Sequence, residues 1–158
     1  MEIFTLGVYG STEQLFFGKL AENGIDTFCD IRQRRGVRGS QYAFVNSKRL
    51  QDTLAGMGIS YTYLKELSPT KKIRAAQKEA DKRNGIQKKD RTRLGDVFIN
   101  GYKQHIADYD FGALDKKLKE MDADKVVFFC VEESPYACHR SIVAEKLHKL
   151  FGYQITHL

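Results

Sequence analysis

Residues 125–132, KVVFFCVE, run straight into residues 133–147, ESPYACHRSIVAEKL. The first block is an unbroken apolar run flanked by charge, too short for a buried helix and rich in β-formers. It reads as a strand covered on both faces, the kind found at the centre of a parallel sheet. A loop over 133–138 follows. A helix then runs from about 139 to 151, with Ile142, Val143, Leu147 and Leu150 on one face. A buried strand that feeds a helix through a short polar loop is half of a βαβ unit.

Working outward, the same alternation recurs. Residues 2–9 (EIFTLGVY) read as a strand. Ser11 and Gln14 have capping-box spacing, and Leu15, Phe16 and Leu20 make a helical stripe that Asn23-Gly24 closes. Residues 25–31 (IDTFCDI) form a second strand, followed by an Arg- and Gly-rich loop over 33–45. Asn46 begins a helix through Leu50, Leu54 and Met57, and a third strand spans 59–64. Beyond Pro69 come a mostly polar helix over 70–84, a loop over 85–93, and helices near 94–107 and 111–121. A last short strand spans 153–157. The order predicts an α/β fold: an open, mainly parallel five-stranded sheet covered by helices on both faces. Residues 65–121 enter as a basic, helical insertion between strands three and four. Residues 1–158 form a single domain, and the first and fourth strands lie side by side, bringing Tyr9 next to Glu132.

The 158 residues suit one domain with a real core, at 42% hydrophobic and 29% charged. No apolar run approaches the roughly 18 residues a membrane span requires, so no membrane partner is expected. The start, MEIFTLGVYG, has no basic region and no long apolar stretch, so it is not a signal peptide. Three cysteines cannot form a complete disulfide framework, and the cytoplasm is the expected compartment. The net charge of +6 is local. Residues 65–93 hold eleven Lys/Arg against four Asp/Glu, so that segment alone carries +7 and the rest of the chain −1. Such a concentration is either a solvated helix face with a loop or an attractor for phosphate-bearing partners. A smaller cluster, Arg32, Arg34, Arg35 and Arg38, is interleaved with Tyr42 and Phe44, a mixture that suits phosphate contact and base stacking.

Ligands of open parallel sheets bind beyond the carboxyl ends of the strands. Those ends carry Tyr9 and Gly10, then Asp30 and Arg32, then Tyr63 to Glu66, then Glu132 to Arg140. The helix beginning at 139 offers orphan N–H groups and the positive end of its dipole to an anion, with Arg140 and Ser141 in its first turn. Arg140 either clamps a ligand or pairs internally with Glu132 or Asp30, and the two roles are compatible. Cys138, at the helix start beside two cationic candidates, is either an activated nucleophile or a small filler of a crowded cap. Its spacing to Arg140 does not match the phosphate loop of cysteine phosphatases. Asp30, on the same side of its strand as Arg32, is either a base or orienting group for His139 or Arg140, or half of a structural ion pair. Glu132 is a second candidate carboxylate. Cys29 and Cys130 read as core packing. Without a C-x-x-C pair, and with Cys138 and His139 adjacent, the pattern argues against a metal site, and the sequence asks for no cofactor.

Taken together, Thr5-Leu-Gly7, the strand end Asp30-Ile-Arg32, Tyr61-x-x-Leu64-x-x-Leu67 and the closing Cys130-x-Glu132…Cys138-His139-Arg140 resemble the domain-of-unknown-function 488 family. The match spreads over most of the chain except about 70–95. The resemblance implies no established activity, and it marks Asp30, Arg32, Glu132, Cys138, His139 and Arg140 as the positions to watch. Many members carry His-Ser after the opening glycine, where this chain has Val8-Tyr9-Gly10-Ser11, so no role of that histidine carries over.

Two functions are expected from these features. The first is an enzyme that binds a phosphate-bearing substrate, a nucleotide or nucleic acid, at the start of the CHR helix. Asp30, Glu132, Cys138 and His139 would supply chemistry, and Tyr9, Gly10, Arg32, Arg35, Arg140 and Ser141 would supply binding. The alternative is a non-catalytic nucleic-acid or anion-binding module that uses residues 65–93. No oligomeric state is implied.

Overall fold

A computed structural model describes residues 1–86 and 92–158. Lys88, Lys89 and Arg91 of the basic segment, and the middle of the expected 85–93 loop, lie outside the described residues. The strands are β1 (Glu2–Leu6), β2 (Thr27–Asp30), β3 (Ser60–Tyr63), β4 (Lys125–Phe129) and β5 (Ile155–His157). They form one sheet in the order β3-β2-β4-β1-β5, and every pairing is parallel. The apolar run at 125–129 is indeed the central strand, with Phe128 and Phe129 fully buried. β1 is its neighbour in the register Leu6↔Phe129. Beyond the strand ends the two chains stay together, since the Val8 and Tyr9 N–H groups both donate to the Val131 carbonyl.

Alternation along each strand divides the core between the two faces. Phe4, Leu6, Phe28, Val127 and Phe129 face α1 (Glu13–Glu22) and α2 (Ser47–Gly56), where Phe16, Leu20, Leu50 and Leu54 meet them. Ile3, Cys29, Val126 and Phe128 face the opposite side. There they pack with residues of α4 (Asp96–His105), α5 (Phe111–Glu120) and α6 (His139–Phe151). α3 (Lys71–Arg83) lies against α4. Two steps from β1 to β3 run one way along the sheet, and the steps from β3 to β5 run back. Right-handed crossovers then put the two sets of helices on opposite faces.

The connection between β3 and β4 is therefore not uniform. α4 and α5 supply Leu94, Phe98, Tyr102, Phe111 and Leu114 to the core and act as the cover of one sheet face. Only α3 is strongly basic and largely exposed, with Gln77 and Asp81 as its buried residues. Gln77 fastens it by donating to Asp81 and accepting from the Gly95 N–H at 3.2 Å.

Local details differ where backbone geometry overrides pattern. The cap of α1 is Thr12 rather than Ser11, its hydroxyl accepting from the Leu15 N–H at 3.2 Å. Asn46 stands at the start of α2, but its side chain accepts from Val37 N–H at 2.8 Å and ties the Arg-rich loop instead of capping the helix. Within that loop Ser40–Val45 forms a 3-10 turn that plugs Phe44 and Val45 into the core. α6 closes on Gly152 with φ +75°, the left-handed cap that glycine adopts without strain. No helix among the described residues is long and apolar enough to cross a membrane.

Candidate functional site

β4 ends between β1 and β2, whose connections leave toward α1 and α2, while its own loop turns toward α6. Adjacent strands whose connections diverge leave a crevice at their carboxyl ends. The candidate residues converge there, but on two sides of the sheet.

On the α1–α2 side sit Asp30, Arg32, Arg35, Tyr9 and Gly10. Asp30 is fully buried and Arg32 is 1% exposed. Arg32 donates from Nε to Oδ1 of Asp30 at 2.9 Å and from Nη2 to Oδ2 at 2.7 Å, and its own N–H adds a third bond at 3.1 Å. Nη1 donates to the Val45 carbonyl at 3.0 Å, and the guanidinium stacks 4.6 Å above the Phe129 ring. Tyr61 donates its hydroxyl to Asp30 Oδ2 at 2.9 Å. This is a closed, hydrogen-bonded ion pair, and neither His139 nor Arg140 is a partner of Asp30 in it. Arg35 stacks on Tyr63 at 4.4 Å. Tyr9 packs against Tyr42 at 5.3 Å, and burial, with Glu132 close by, pushes its hydroxyl up. Gly10 has φ +76° and donates its N–H to the Tyr42 hydroxyl at 3.1 Å.

Arg140 has a structural task. It is 1% exposed, and it donates from Nη1 to the Glu132 carbonyl at 2.6 Å and from Nη2 to the Glu133 carbonyl at 2.8 Å. Nε is buried without a partner among the described residues. The guanidinium thus holds the loop after β4 through one donation from each terminal nitrogen. Gly7 makes this approach possible. A Cβ there would lie 2.0 Å from the Glu132 oxygen and 3.1 Å from Arg140 Nη2. Ser141 donates its hydroxyl back to the Cys138 carbonyl at 3.0 Å.

On the opposite side, Cys130, Cys138 and His139 come together. All three are buried, and their Sγ atoms and a ring nitrogen lie within 4.8 Å of one another. Cys138 is the residue before α6, with extended backbone angles of φ −138° and ψ 145°, so its side chain is not splayed from His139 as neighbours in a helix are. The His139 Nδ1 lies 3.7 Å from Cys138 Sγ, and Nε2 lies 3.1 Å from the Ile31 carbonyl. A carbonyl oxygen only accepts, so Nε2 carries a proton, and Nδ1 is the nitrogen turned toward the sulfurs. Tyr102 packs edge-on to the imidazole at 5.2 Å and donates its own hydroxyl to the Leu67 carbonyl, which fixes the ring. Burial alone would push the Cys138 thiol up. The hydrogen bond from Cys130 and the nearby His139 and Arg140 outweigh it and hold Cys138 well below the usual thiol range. Cys130, hydrogen-bonded to Cys138 and desolvated, is pushed the other way. Cys138 is therefore the more acidic thiol of the pair.

These three residues floor a cavity of about 640 Å³. Glu132 lines it as well. One wall is the α3 face that carries Arg74, Lys78 and Lys82, and Ile86, Leu94 and Phe98 supply apolar surface. The rim is stitched to the loop after β4, since the Leu94 N–H donates to the Tyr136 carbonyl at 2.9 Å and Ser134 donates to the Thr92 carbonyl at 3.3 Å. Of the sequence candidates, Glu132, Cys138 and His139 reach this cavity, and Asp30, Tyr9, Gly10, Arg32, Arg35, Arg140 and Ser141 do not line it. Cys130, read from sequence as core packing, belongs to its floor. Its position immediately after β4, one residue past the last paired one, was the available signal.

Fold and site together define an all-parallel α/β domain with a thiol–imidazole cluster beyond its central strand. The model for the family described as "Domain of unknown function DUF488" matches residues 12–147, and the chain belongs to that family. No curated protein and no solved structure matches the chain.

Proposed function

We propose that this protein is an enzyme that takes a phosphate-bearing substrate, of nucleotide or nucleic-acid type, into the cavity between α3 and the start of α6. The observation that carries this reading is the composition of the cavity. A wall of Arg74, Lys78 and Lys82 faces a floor of Cys130, Cys138 and His139. Cations on one wall suit phosphate, and the apolar surface of Leu94 and Phe98 suits a base or sugar. The groups that would act on the bound molecule are the Cys138 sulfur and the His139 imidazole, held in one orientation by the Ile31 carbonyl. Glu132 and Asp81, which both line the cavity, are its carboxylates. The three cysteines are unpaired and buried, which suits a reducing, cytoplasmic setting.

The exposed cations along α3 also favour a second reading, a nucleic-acid-binding surface without catalysis. Melting temperatures of wild type and of an Arg74→Ala/Lys78→Ala protein, measured with phosphate, mononucleotides and short DNA and RNA at two salt concentrations, separate the readings. A rise with a mononucleotide that the double variant loses supports the enzyme. A rise only with long nucleic acid that vanishes at high salt supports the surface. No rise with any phosphate-bearing compound overturns both.

A further inference from the structure

We infer that Cys130, Cys138 and His139 form a binding site for a single zinc ion, with a fourth coordination position open to the cavity. The inference deepens the proposed reading, on which it rests for what the open position faces, and it recasts Cys138 and His139 as metal ligands rather than groups that act on the substrate directly. The donors themselves are argued from geometry alone.

Zinc takes thiolate at about 2.3 Å and imidazole nitrogen at about 2.0–2.1 Å in a tetrahedron, which places any two donors roughly 3.3–3.8 Å apart. Here the three donor atoms lie within 4.8 Å of one another before any ion draws them in, and Cys138 Sγ and His139 Nδ1 are at 3.7 Å. The widest separation thus exceeds the tetrahedral value by about 1 Å at most. Two sulfurs and an imidazole are soft and borderline donors, so the set selects zinc over calcium or magnesium, which take oxygen.

The surroundings match as well. A metal-bound histidine donates its second ring nitrogen to a carbonyl or carboxylate that fixes tautomer and orientation. His139 does so toward Ile31, at 3.1 Å, and its ring is held from the side by Tyr102. Nδ1 is thereby the nitrogen left facing the two sulfurs. Binding a divalent ion displaces the remaining thiol protons to solvent and leaves two thiolates and one neutral imidazole around it, a neutral first shell that a buried site tolerates. Three protein ligands with one position left for water or substrate is the stoichiometry of catalytic rather than structural zinc. The open side is defined by the cavity, which shares all three ligand residues with the site and is also lined by Arg74, Lys78, Asp81 and Lys82 of α3. An ion there would polarise water or a phosphate-bearing substrate at the point where the wall brings it.

The test is uptake of cobalt(II) and zinc by the full chain after reduction and removal of metal. Cobalt should bind at one equivalent per chain and give sulfur-to-cobalt charge-transfer absorption with the intense visible bands of a tetrahedral site, and zinc should displace it. Cys130→Ser and Cys138→Ser should lose stoichiometric uptake, His139→Asn should weaken it, and Cys29→Ser, which alters the buried cysteine outside the cluster, should leave it unchanged. Should the serine variants fail to fold, X-ray absorption on zinc-loaded wild type reads the shell directly, and sulfur and nitrogen neighbours at the distances above are expected. Absent charge-transfer absorption, a shell of oxygen and nitrogen only, or uptake unchanged in a folded Cys138→Ser protein would overturn the site. So would a Cys130–Cys138 disulfide in the isolated protein with no metal uptake after its reduction. The phosphate panel on metal-free protein reads the α3 wall, so failure of the metal site and failure of the proposed function are told apart.

Discussion

Arg140 donates from Nη1 to the backbone carbonyl of Glu132 at 2.6 Å, closing the loop after β4 over the first turn of the helix that follows. A second donation, to the Glu133 carbonyl, makes the guanidinium a two-point clamp. Removing it strands two carbonyls, one of them at least partly buried, at about 1–3 kcal/mol for each that water cannot reach. Arg140→Ala should therefore lower the unfolding free energy read from urea curves by about 1–3 kcal/mol with no anion present, and Arg140→Lys should recover part of it through one donor. A variant as stable as wild type that merely fails to bind phosphate would return Arg140 to ligand binding.

Gly7 is fixed by the same oxygen. Its added Cβ would stand 2.0 Å from the Glu132 carbonyl, a contact only a shift of backbone relieves. Gly7→Ala should cost about 1–3 kcal/mol as overpacking and disturb the cavity floor with it. Gly18, in the interior of α1, has nothing within 4 Å of the corresponding position. Gly18→Ala should gain about 0.5–1 kcal/mol from helix propensity. Paired denaturant curves check both, and equal effects at the two glycines would contradict the clamp.

The contrast between these residues shows what a sequence can and cannot say. The apolar run 125–129 announced its own burial, and the β-α order announced parallel strands, because both depend on local pattern. The adjacency of Tyr9 to the loop after β4 followed from the neighbouring first and fourth strands. The partners of Arg140 and His139 are backbone carbonyls, at Glu132 and Ile31, and carbonyls carry no sequence signal. The Asp30–Arg32 pair was legible from period-two spacing, but its closure by Tyr61 and Val45 depends on β3 and the loop coming across. Adjacency of Cys138 and His139, with no C-x-x-C pair, argued against a shared focus, an argument that is strongest for neighbours within a helix. The extended backbone at Cys138 removes that condition.

Asp30 neutralises an arginine that has almost no access to water. Asp30→Asn would leave Arg32 buried beside a neutral amide, and breaking such a pair costs about 3–5 kcal/mol. Asp30→Asn combined with Arg32→Met removes both charges and should cost less than the sum of the single substitutions. Urea unfolding of the three variants gives the coupling. Strict additivity would mean that the pair is not the unit the geometry describes.

His157 gives a pH signature separate from the thiol cluster. It sits on β5, its Nδ1 2.7 Å from the Thr5 hydroxyl and its ring 5.9 Å from Tyr136. Partial desolvation, reinforced by the Arg140 charge and opposed by Glu145, holds the pKa of this largely exposed ring below the ordinary 6.5. Between the folded value and 6.5 the unfolded chain binds a proton that the folded chain refuses, so stability rises with pH across that window. The contribution is complete above about pH 6.5 and is lost as the pH falls toward the folded value. Replacing the ring with an amide, His157→Asn, removes the titration. Wild type should therefore lose melting temperature relative to His157→Asn between pH 7.5 and 5.5. Parallel curves, or a wild type that gains on acidification, would show that this histidine accepts its proton as readily folded as unfolded.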